Sequence, residues 1–373
     1  MSRTEPPRIT VIGLTGLPEI TPGMDVAGLL VAAAEQAAGG LREGDVVALS
    51  SKVLSKSLGL RAPSGARRED LVRAESTRVV VERARADGSV GRVVEAIAGP
   101  VMLAAGVDAS NTGHEPDLLL LPRDPDAAAR ELREQLRQRT GVRHLGLLVT
   151  DTAGRPWRAG VTDFALGSVG LAPLEDLRGG TDADGRPLMV TVRALADELA
   201  AAADLVKGKS DGIPAALVRG CPRSWFEDDG AGARSLIRTG PGDWFRMGHV
   251  EAVRAALGAA PGTAEAMAVG IPGADRALSE RIRRVIAVAL LTEEDAAVDL
   301  EAAPDAFTLT VTAPDPYAVG RVTARLEVAC WSEDLRCESA AAAGSATLRI
   351  TPADASSVTF EGRDADEQDQ RAR

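Results

Sequence analysis

The feature that most restricts the fold of this sequence is the alternation of short apolar runs with helical periodicity over its first 225 residues. Apolar runs of four to eight residues are typical of buried strands, whereas apolar residues spaced three and four apart indicate helices. This alternation predicts an α/β or α+β core of strands and helices. The predicted strands are 8–13, 45–50, 101–106, 144–150 and 215–220, and the predicted helices are 25–38, 123–141 and 192–206.

Capping residues support two of these helices. Asp25 precedes the first helix as a candidate N-cap, and Asp124 and Asp126 lie at the start of the second, which Gly141 closes. The charged segment 61–90 is predicted to be a loop followed by a helix.

A polar, glycine-rich stretch at 222–243 indicates a domain boundary. The sequence therefore predicts one domain at 8–225, a linker at 226–245 and a small α+β domain at 246–353. The polar tail at 354–373 is predicted to be disordered. Within the small domain, the predicted helices are 249–258, 276–291 and 317–333, and the predicted strands are 306–313 and 345–351.

The charge and the apolar pattern exclude several classes of protein. A net charge of −11 argues against nucleic acid or an acidic membrane as the main partner. There is no long apolar stretch of the kind that spans a membrane and no apolar signal-peptide core, so we expect a cytoplasmic protein. The three cysteines are too scattered for a disulfide framework or a zinc site.

Lysine is almost absent from this chain, although arginine is abundant. Of 43 basic residues only four are lysines, and they form two pairs: Lys52 with Lys56, and Lys207 with Lys209. An ammonium group is a compact charge with rotatable donors, which suits a phosphate oxygen. Because serine and glycine surround both pairs, we interpret them as phosphate-binding, although a solvated surface would also place lysines there.

Three turns rich in acidic and hydroxyl side chains lie near the ends of apolar runs. They contain Asp108 with Asn111, Asp151 with Thr152, and Asp211. Carboxylate, hydroxyl and amide oxygens are ligands of Mg²⁺ or Mn²⁺, which complete their shells with water and substrate phosphate. An aspartate after a strand is also a common turn or N-cap residue, so each one alone is ambiguous. Asp108 and Asp151 are the best pair, and together with the lysine pairs they favour a metal site. The glycine pattern is neither that of a P-loop nor that of a dinucleotide fold, and no serine or cysteine nucleophile stands out.

Five ordered motifs give the chain a resemblance to a known family. They are GLPEITPGMD, DVVALSSKVLSKSLG, AGVDASNTG, VTDTAGRPWRAGVTDFALG and the long segment from GTDADGRPLMV to AALVRG. Over residues 8–221 the sequence resembles the coenzyme F420-0:L-glutamate ligase family, also called F420:γ-glutamyl ligase. The resemblance implies a two-lobed α/β fold, a homodimer, and GTP-dependent amide formation between coenzyme F420-0 and L-glutamate, with further γ-linked glutamates in some cases.

The resemblance also implies a reaction through an acyl phosphate, with two divalent cations, Mg²⁺ or Mn²⁺, and K⁺. Lys56 would add positive charge at the phosphates, and Asp151 would hold a cation there. The metal ligands implied are Asp108, Asp151 and Thr152, with Asp211 as a substitute ligand. The nucleotide contacts implied are Gly16, Leu17, Pro18, Glu19, Ser51, Lys52, Lys56, Asn111, Val206, Lys207, Gly208, Lys209, Ser210, Asp211, Gly212 and Ile213. Four arginines in glycine-rich turns are candidates for the anionic acceptor: Arg155, Arg158, Arg178 and Arg186.

The sequence departs from the family pattern in two places. Position 209 is lysine where some members carry a glutamate metal ligand, so that either Asp211 substitutes or the second metal is held differently. Some relatives carry a C-terminal FMN-binding nitroreductase-like domain of nearly 200 residues, and the start of 246–353 resembles it. That segment is too short and lacks an arginine-rich phosphate segment at 255–265, so we expect a remnant and no FMN.

Other functions fit the same motifs. One is a ligase that joins another carboxylate and amine with GTP or ATP. A second is a non-catalytic nucleotide-binding regulator with an altered 206–213 loop. A third is a bifunctional ligase and flavin reductase, which would be yellow when purified.

Overall fold

The computed structural model describes residues 7–63, 65–85, 87–112, 118–228, 230–240, 243–273, 276–302, 306–342 and 344–353. The predicted disordered tail at 354–373 lies outside these residues. The described residues divide into two compact units, one within 7–79 and 93–246, the other within 80–92 and 247–353. Along the described part of the chain, no helix combines the length and the apolar character needed to cross a membrane.

Strands and helices alternate along the chain as the apolar pattern predicts, and the fold is mixed α/β. Up to residue 220 the strands are β1 (Thr10–Leu14), β2 (Asp45–Ser50), β3 (Ser76–Ala84), β4 (Val90–Ala96), β5 (Val101–Leu103), β6 (Leu145–Arg155), β7 (Arg158–Val169), β8 (Glu175–Asp176), β9 (Val192–Arg193) and β10 (Ala215–Arg219). The helices of this part are α1 (Val26–Ala38), α2 (Ser51–Ser57), α3 (Arg68–Ala74), α4 (Pro125–Thr140) and α5 (Leu195–Lys207).

The first unit is built on a five-stranded sheet of order β1-β10-β2-β6-β7, in which only β2 and β6 run parallel. Alternate residues of β2 face opposite sides of this sheet. Val47 and Leu49 pack in the core that contains α1 and α4, whereas Val46 and Ala48 pack in the core that contains α5. Helices thus cover both faces of the sheet, which explains why the side chains of β2 are apolar on both faces from Val46 to Leu49.

The predicted helix caps are confirmed. The Asp25 side chain accepts a hydrogen bond from the Gly28 N–H, and Asp124 accepts one from Ala127 N–H. Gly141 ends α4 with a φ of 74°, a left-handed conformation that glycine adopts without steric cost. These contacts fix the residues at which α1 and α4 begin, and therefore where the loops before these helices end.

The second unit combines helices with an antiparallel sheet. Its elements are α6 (His249–Ala256), α7 (Ala264–Val269), α8 (Leu278–Leu290), β11 (Ala297–Ala302), β12 (Phe307–Thr312), α9 (Pro316–Trp331), β13 (Leu335–Ala342) and β14 (Ser345–Pro352). The four strands form an antiparallel sheet of order β11-β12-β14-β13. Leu309, Val311, Leu348 and Ile350 form its core with two of the helices, α8 and α9.

The prediction of a loop and then a helix over 61–90 is wrong for its second half. The short helix α3 ends at Ala74, and β3 and β4 follow it. Val79, Val80 and Val81 are β-branched and favour a strand. Charged residues on both sides of this run concealed that preference in the sequence.

Candidate functional site

Polar side chains collect where the parallel pairing of β2 and β6 ends, although β6 itself continues to Arg155 beside β7. Ser50 of β2 pairs with Thr150 of β6, and helix α2 begins at the next residue, Ser51. Because β2 and β6 are parallel, Lys52 of α2 and Asp151 of β6 follow the same edge of the sheet. In open α/β sheets this edge is where ligands bind.

Lys52 connects the edge to the turn after β5. Its Nζ lies 2.8 Å from Asp108 Oδ2 and 2.8 Å from Ser110 Oγ. Burial opposes the charge of Asp108, but hydrogen bonds from Lys52 and from the Ser110 N–H outweigh it, so the Asp108 pKa lies below its usual range. Asp108 is therefore a carboxylate at neutral pH.

Asp151 has the opposite electrostatic environment. Burial raises its pKa from 3.8 to about 6, and repulsion by Asp108 adds to that rise, while the Thr152 N–H and the charge of Lys52 oppose it. Its Oδ1 accepts a hydrogen bond from the Thr152 N–H at 2.8 Å. The folded protein thus holds a carboxylate that would be more stable with additional positive charge beside it.

Replacing Asp151 with asparagine is expected to stabilise the metal-free protein at neutral pH. An acid whose pKa is higher in the folded than in the unfolded protein destabilises the fold once the pH exceeds its unfolded pKa. The free energy of unfolding of the variant should therefore exceed that of wild type by an amount that grows from about pH 4 to about pH 6 and then stays level. A shift of two pKa units corresponds to about 3 kcal/mol as an upper bound. Urea unfolding in EDTA at pH 5 and pH 7.5 measures this; an advantage that shrinks with pH would contradict the assignment.

Next to Asp151 lies a buried cluster formed by Asp163, Thr150, Thr152 and Lys207. Asp163 Oδ2 accepts hydrogen bonds from Thr150 Oγ1 at 2.8 Å and from Lys207 Nζ at 2.5 Å, while Oδ1 accepts one from Thr152 Oγ1 at 2.7 Å. Lys207 Nζ also donates to Thr150 Oγ1 at 2.6 Å. Burial opposes the charge of Asp163, but the Lys207 ammonium and these hydrogen bonds hold its pKa below the usual range.

Two further lysines extend from this edge. Lys209 Nζ lies 2.5 Å from Thr152 Oγ1, and Lys56 Nζ lies 2.5 Å from Glu19 Oε1. All four lysines of the chain therefore donate to oxygens around one site, whereas their role in phosphate binding stays a prediction.

These residues border a cavity of about 470 Å³, a size typical of small-molecule sites. Its walls carry ammonium groups, carboxylates and backbone from two loops, so they suit an anionic ligand with an accompanying cation. The lining residues are Leu17, Pro18, Glu19, Ile20, Ser50, Lys52, Val53, Lys56, Asn111, Thr150, Asp151, Thr152, Asp163, Asp204, Lys207, Gly208, Lys209, Ser210, Gly212, Ile213 and Pro214.

Most of the predicted nucleotide contacts border this cavity, and the exceptions lie beside it. Gly16, Ser51, Val206 and Asp211 are adjacent in sequence to lining residues but do not line the cavity themselves. The Asp211 carboxylate lies against Gly208, where an added Cβ would meet its Oδ2 at 2.7 Å. Their roles, including that of Asp211 as a ligand, stay predictions.

The four candidate acceptor arginines do not line the cavity. Arg155 and Arg158 are exposed at the turn between β6 and β7, and Arg186 is exposed in the loop between β8 and β9. Arg178 is paired with Asp176 at 2.5 Å on the surface. Acceptor binding by these residues stays a prediction.

The donor set fits a hard divalent cation that shares its shell with a ligand. Among the described residues, no group of three or more His, Cys, Asp or Glu side chains could hold a metal alone. Asp108 and Asp151 are close enough for charge repulsion, and Asp151 and Thr152 line the same cavity. Mg²⁺ and Mn²⁺ commonly use one or two carboxylates and take the remaining oxygens from water and phosphate.

The sequence motifs did not single out Asp163, Thr150 or Asp204. For Asp163 a signal was present, because β6 and β7 form a hairpin in which Thr152 pairs with Asp163. Pairing residues across the turn at Pro156 would have placed Asp163 beside the strand end. Thr150 and Asp204 carried no such signal.

Comparison with known proteins identifies the family to which the first 220 residues are similar. Residues 15–220 match the family model described as F420-0:Gamma-glutamyl ligase. The coenzyme F420:L-glutamate ligase of Haloarcula marismortui is 39% identical over 257 residues, covering 64% of this chain and 95% of the relative. That of Methanothermobacter thermautotrophicus is 37% identical over 254 residues, covering 64% and 99%. That of Methanopyrus kandleri is 40% identical over 249 residues, covering 61% and 94%.

Proposed function

We propose that this chain, which belongs to the F420-0:gamma-glutamyl ligase family, joins L-glutamate to coenzyme F420-0. The observation that carries the proposal is the cavity where β2 and β6 stop pairing, which is lined by all four lysines of the chain together with Asp151 and Asp163. Lys52 also contacts the Asp108 carboxylate. The relatives are named for this reaction, and this chain covers nearly their whole length.

Amide formation requires that the acceptor carboxylate be activated first. In the proposed reaction, a carboxylate oxygen of coenzyme F420-0 attacks the γ-phosphorus of GTP, the bond to the β,γ-bridging oxygen breaks, and GDP leaves. The glutamate amine then attacks the acyl carbon, phosphate leaves, and the nitrogen gives its proton to phosphate or water. Further γ-linked glutamates would repeat this sequence.

The lysines and the two loops would position the nucleotide. Lys52 and Lys56 would donate to phosphate oxygens, which replace the carboxylates that they now contact. Gly16 to Glu19, Ser51, Asn111 and the loop 206–213 would surround the nucleotide. Positioning and charge neutralisation are the main tasks of a protein in phosphoryl transfer.

Asp108, Asp151 and Thr152 would hold Mg²⁺ or Mn²⁺, which when bound neutralises phosphate charge. The charged Asp108 and the destabilised charge of Asp151 favour a cation at this point. Asp211 would supply a further ligand for a second cation. A K⁺ requirement, a homodimer and acceptor binding by Arg155, Arg158, Arg178 and Arg186 belong to the same proposal.

One incubation tests the function. We expect purified protein with coenzyme F420-0, L-glutamate, GTP, Mn²⁺ and K⁺ to give a mass increase of one or more glutamyl units with matching GDP. GTP consumption without this product would indicate another acceptor acid. No consumption at all would contradict the ligase and favour a nucleotide-binding regulator.

The second unit is proposed to lack flavin chemistry, so the purified protein should be colourless. Its absorbance between 350 and 500 nm should show no flavin bands, and FMN should produce no quenching on titration. A yellow protein that releases FMN when denatured would show instead that residues 246–353 form a reductase.

A further inference from the structure

Lys209 contacts the hydroxyl oxygen of Thr152, which is one of the proposed metal ligands. Its Nζ lies 2.5 Å from Thr152 Oγ1, next to Asp151. An ammonium group has donors only, so this contact uses a lone pair of the hydroxyl oxygen. The same lone pairs are what a divalent cation would bind.

The direction of the Thr152 hydroxyl is fixed from the other side. Thr152 Oγ1 donates to Asp163 Oδ1 at 2.7 Å, and Asp163 is buried and held by Lys207 at 2.5 Å. Because the hydroxyl proton is used toward Asp163, the oxygen presents its lone pairs away from Asp163, toward Lys209. Asp163 is therefore a positioning residue for Thr152.

Lys207, the last residue of α5, and Lys209, in the loop after it, differ in burial. Lys207 is 4% exposed and contacts two oxygens of the buried cluster. Lys209 is exposed and lies between Gly208 and Gly212, which have φ values of 62° and 66°. Its long side chain can leave Thr152 for a phosphate oxygen without loss of a buried contact.

We propose that Lys209 is a tethered cation that competes with the divalent cation for Thr152 until nucleotide phosphate draws its ammonium group away. This inference rests on the proposed function, because it takes Asp151 and Thr152 as metal ligands. Lys209 then makes metal binding depend on nucleotide binding, and by linkage each ligand strengthens the other by the same factor. The device would keep the metal weakly bound in protein that lacks nucleotide.

The test measures Mn²⁺ binding by electron paramagnetic resonance, with and without GDP, after subtraction of Mn²⁺ bound by free GDP. In wild type, GDP should tighten Mn²⁺ binding on the order of tenfold or more, a typical coupling between sites. Without GDP, K209M should bind Mn²⁺ on the order of tenfold tighter than wild type. GDP should then tighten Mn²⁺ binding by a smaller factor in K209M than in wild type, because its phosphates still supply ligands but no competing ammonium group is released. Arg143→Met removes an exposed charge before β6, at the far end of that strand from Asp151, and should match wild type.

A double-mutant cycle separates competition for Thr152 from general repulsion. In the T152V background, K209M should no longer tighten Mn²⁺ binding, because the contested oxygen is gone. Equal affinities for wild type and K209M without GDP would overturn the inference, and so would an equal gain in R143M or in the T152V background. Failure of the proposed function is a separate result: wild type would then form no glutamyl product, whatever its Mn²⁺ affinity.

Discussion

Asp151→Asn is expected to reduce glutamyl transfer by at least about a thousandfold, since loss of a metal ligand removes several kcal/mol of stabilisation from a charged transition state. The substitution keeps the size of the side chain and leaves an acceptor for the Thr152 N–H. The expected loss lies in turnover at saturating GTP and Mn²⁺. Steady-state formation of the glutamylated product measures it.

Asp204→Asn is the matched control, because Asp204 lines the same cavity from α5 but is not a proposed ligand. It should keep turnover within a few-fold of wild type. Far-ultraviolet circular dichroism and unfolding curves establish that both variants are folded. Substantial turnover by Asp151→Asn with Mg²⁺ or Mn²⁺ would refute the metal assignment, and an equal loss in Asp204→Asn would mean that any charge change in the cavity is harmful.

The sequence could predict those parts of the site that depend on local order. Asp25 and Asp124 cap helices as their position before a periodic segment indicates. Asp108 and Asp151 were grouped because both lie in acidic, hydroxyl-rich turns near the ends of apolar runs, and Asp108 is close enough to contribute to the raised pKa of Asp151. In both cases the prediction depends only on residues that are close to each aspartate in the sequence.

What the sequence could not predict depends on register and burial. Asp163 reaches Thr152 only because β6 and β7 pair in one particular register, with irregularities near Thr150 and Arg155. Lys207 lies in the last turn of α5, where a lysine is ordinarily solvated, yet it turns inward to Asp163. The hairpin of β3 and β4 was missed because charged residues flank its valines. A one-residue change in the pairing of β6 with β7 would have separated Asp163 from Thr152 and from Lys207.

The contact between Lys207 and Asp163 leads to the largest expected effect on stability. Lys207→Met should lower the free energy of unfolding by about 3 to 5 kcal/mol, because it leaves a buried carboxylate without its counter-charge. Both side chains are only 4% exposed, so solvent compensates poorly for the lost ammonium group. The Thr150 and Thr152 hydroxyls would still donate hydrogen bonds to Asp163. Because these bonds partly stabilise the unpaired carboxylate, the loss can be as small as the lower end of this range. Urea unfolding at pH 7.5 measures the change.

A second pair in the same chain provides the comparison. Arg178 and Asp176 lie 2.5 Å apart, the same distance as Lys207 and Asp163, but both are exposed. Arg178→Met should therefore leave the unfolding curve unchanged within error, since solvent screens the surface pair. The double variant Lys207→Met with Asp163→Asn should recover most of the stability lost by Lys207→Met, because no buried charge remains unpaired. If the double variant is as unstable as Lys207→Met, the loss of stability comes from packing at position 207. In that case the hydrogen bonds from the Thr150 and Thr152 hydroxyls are sufficient to stabilise the charge of Asp163.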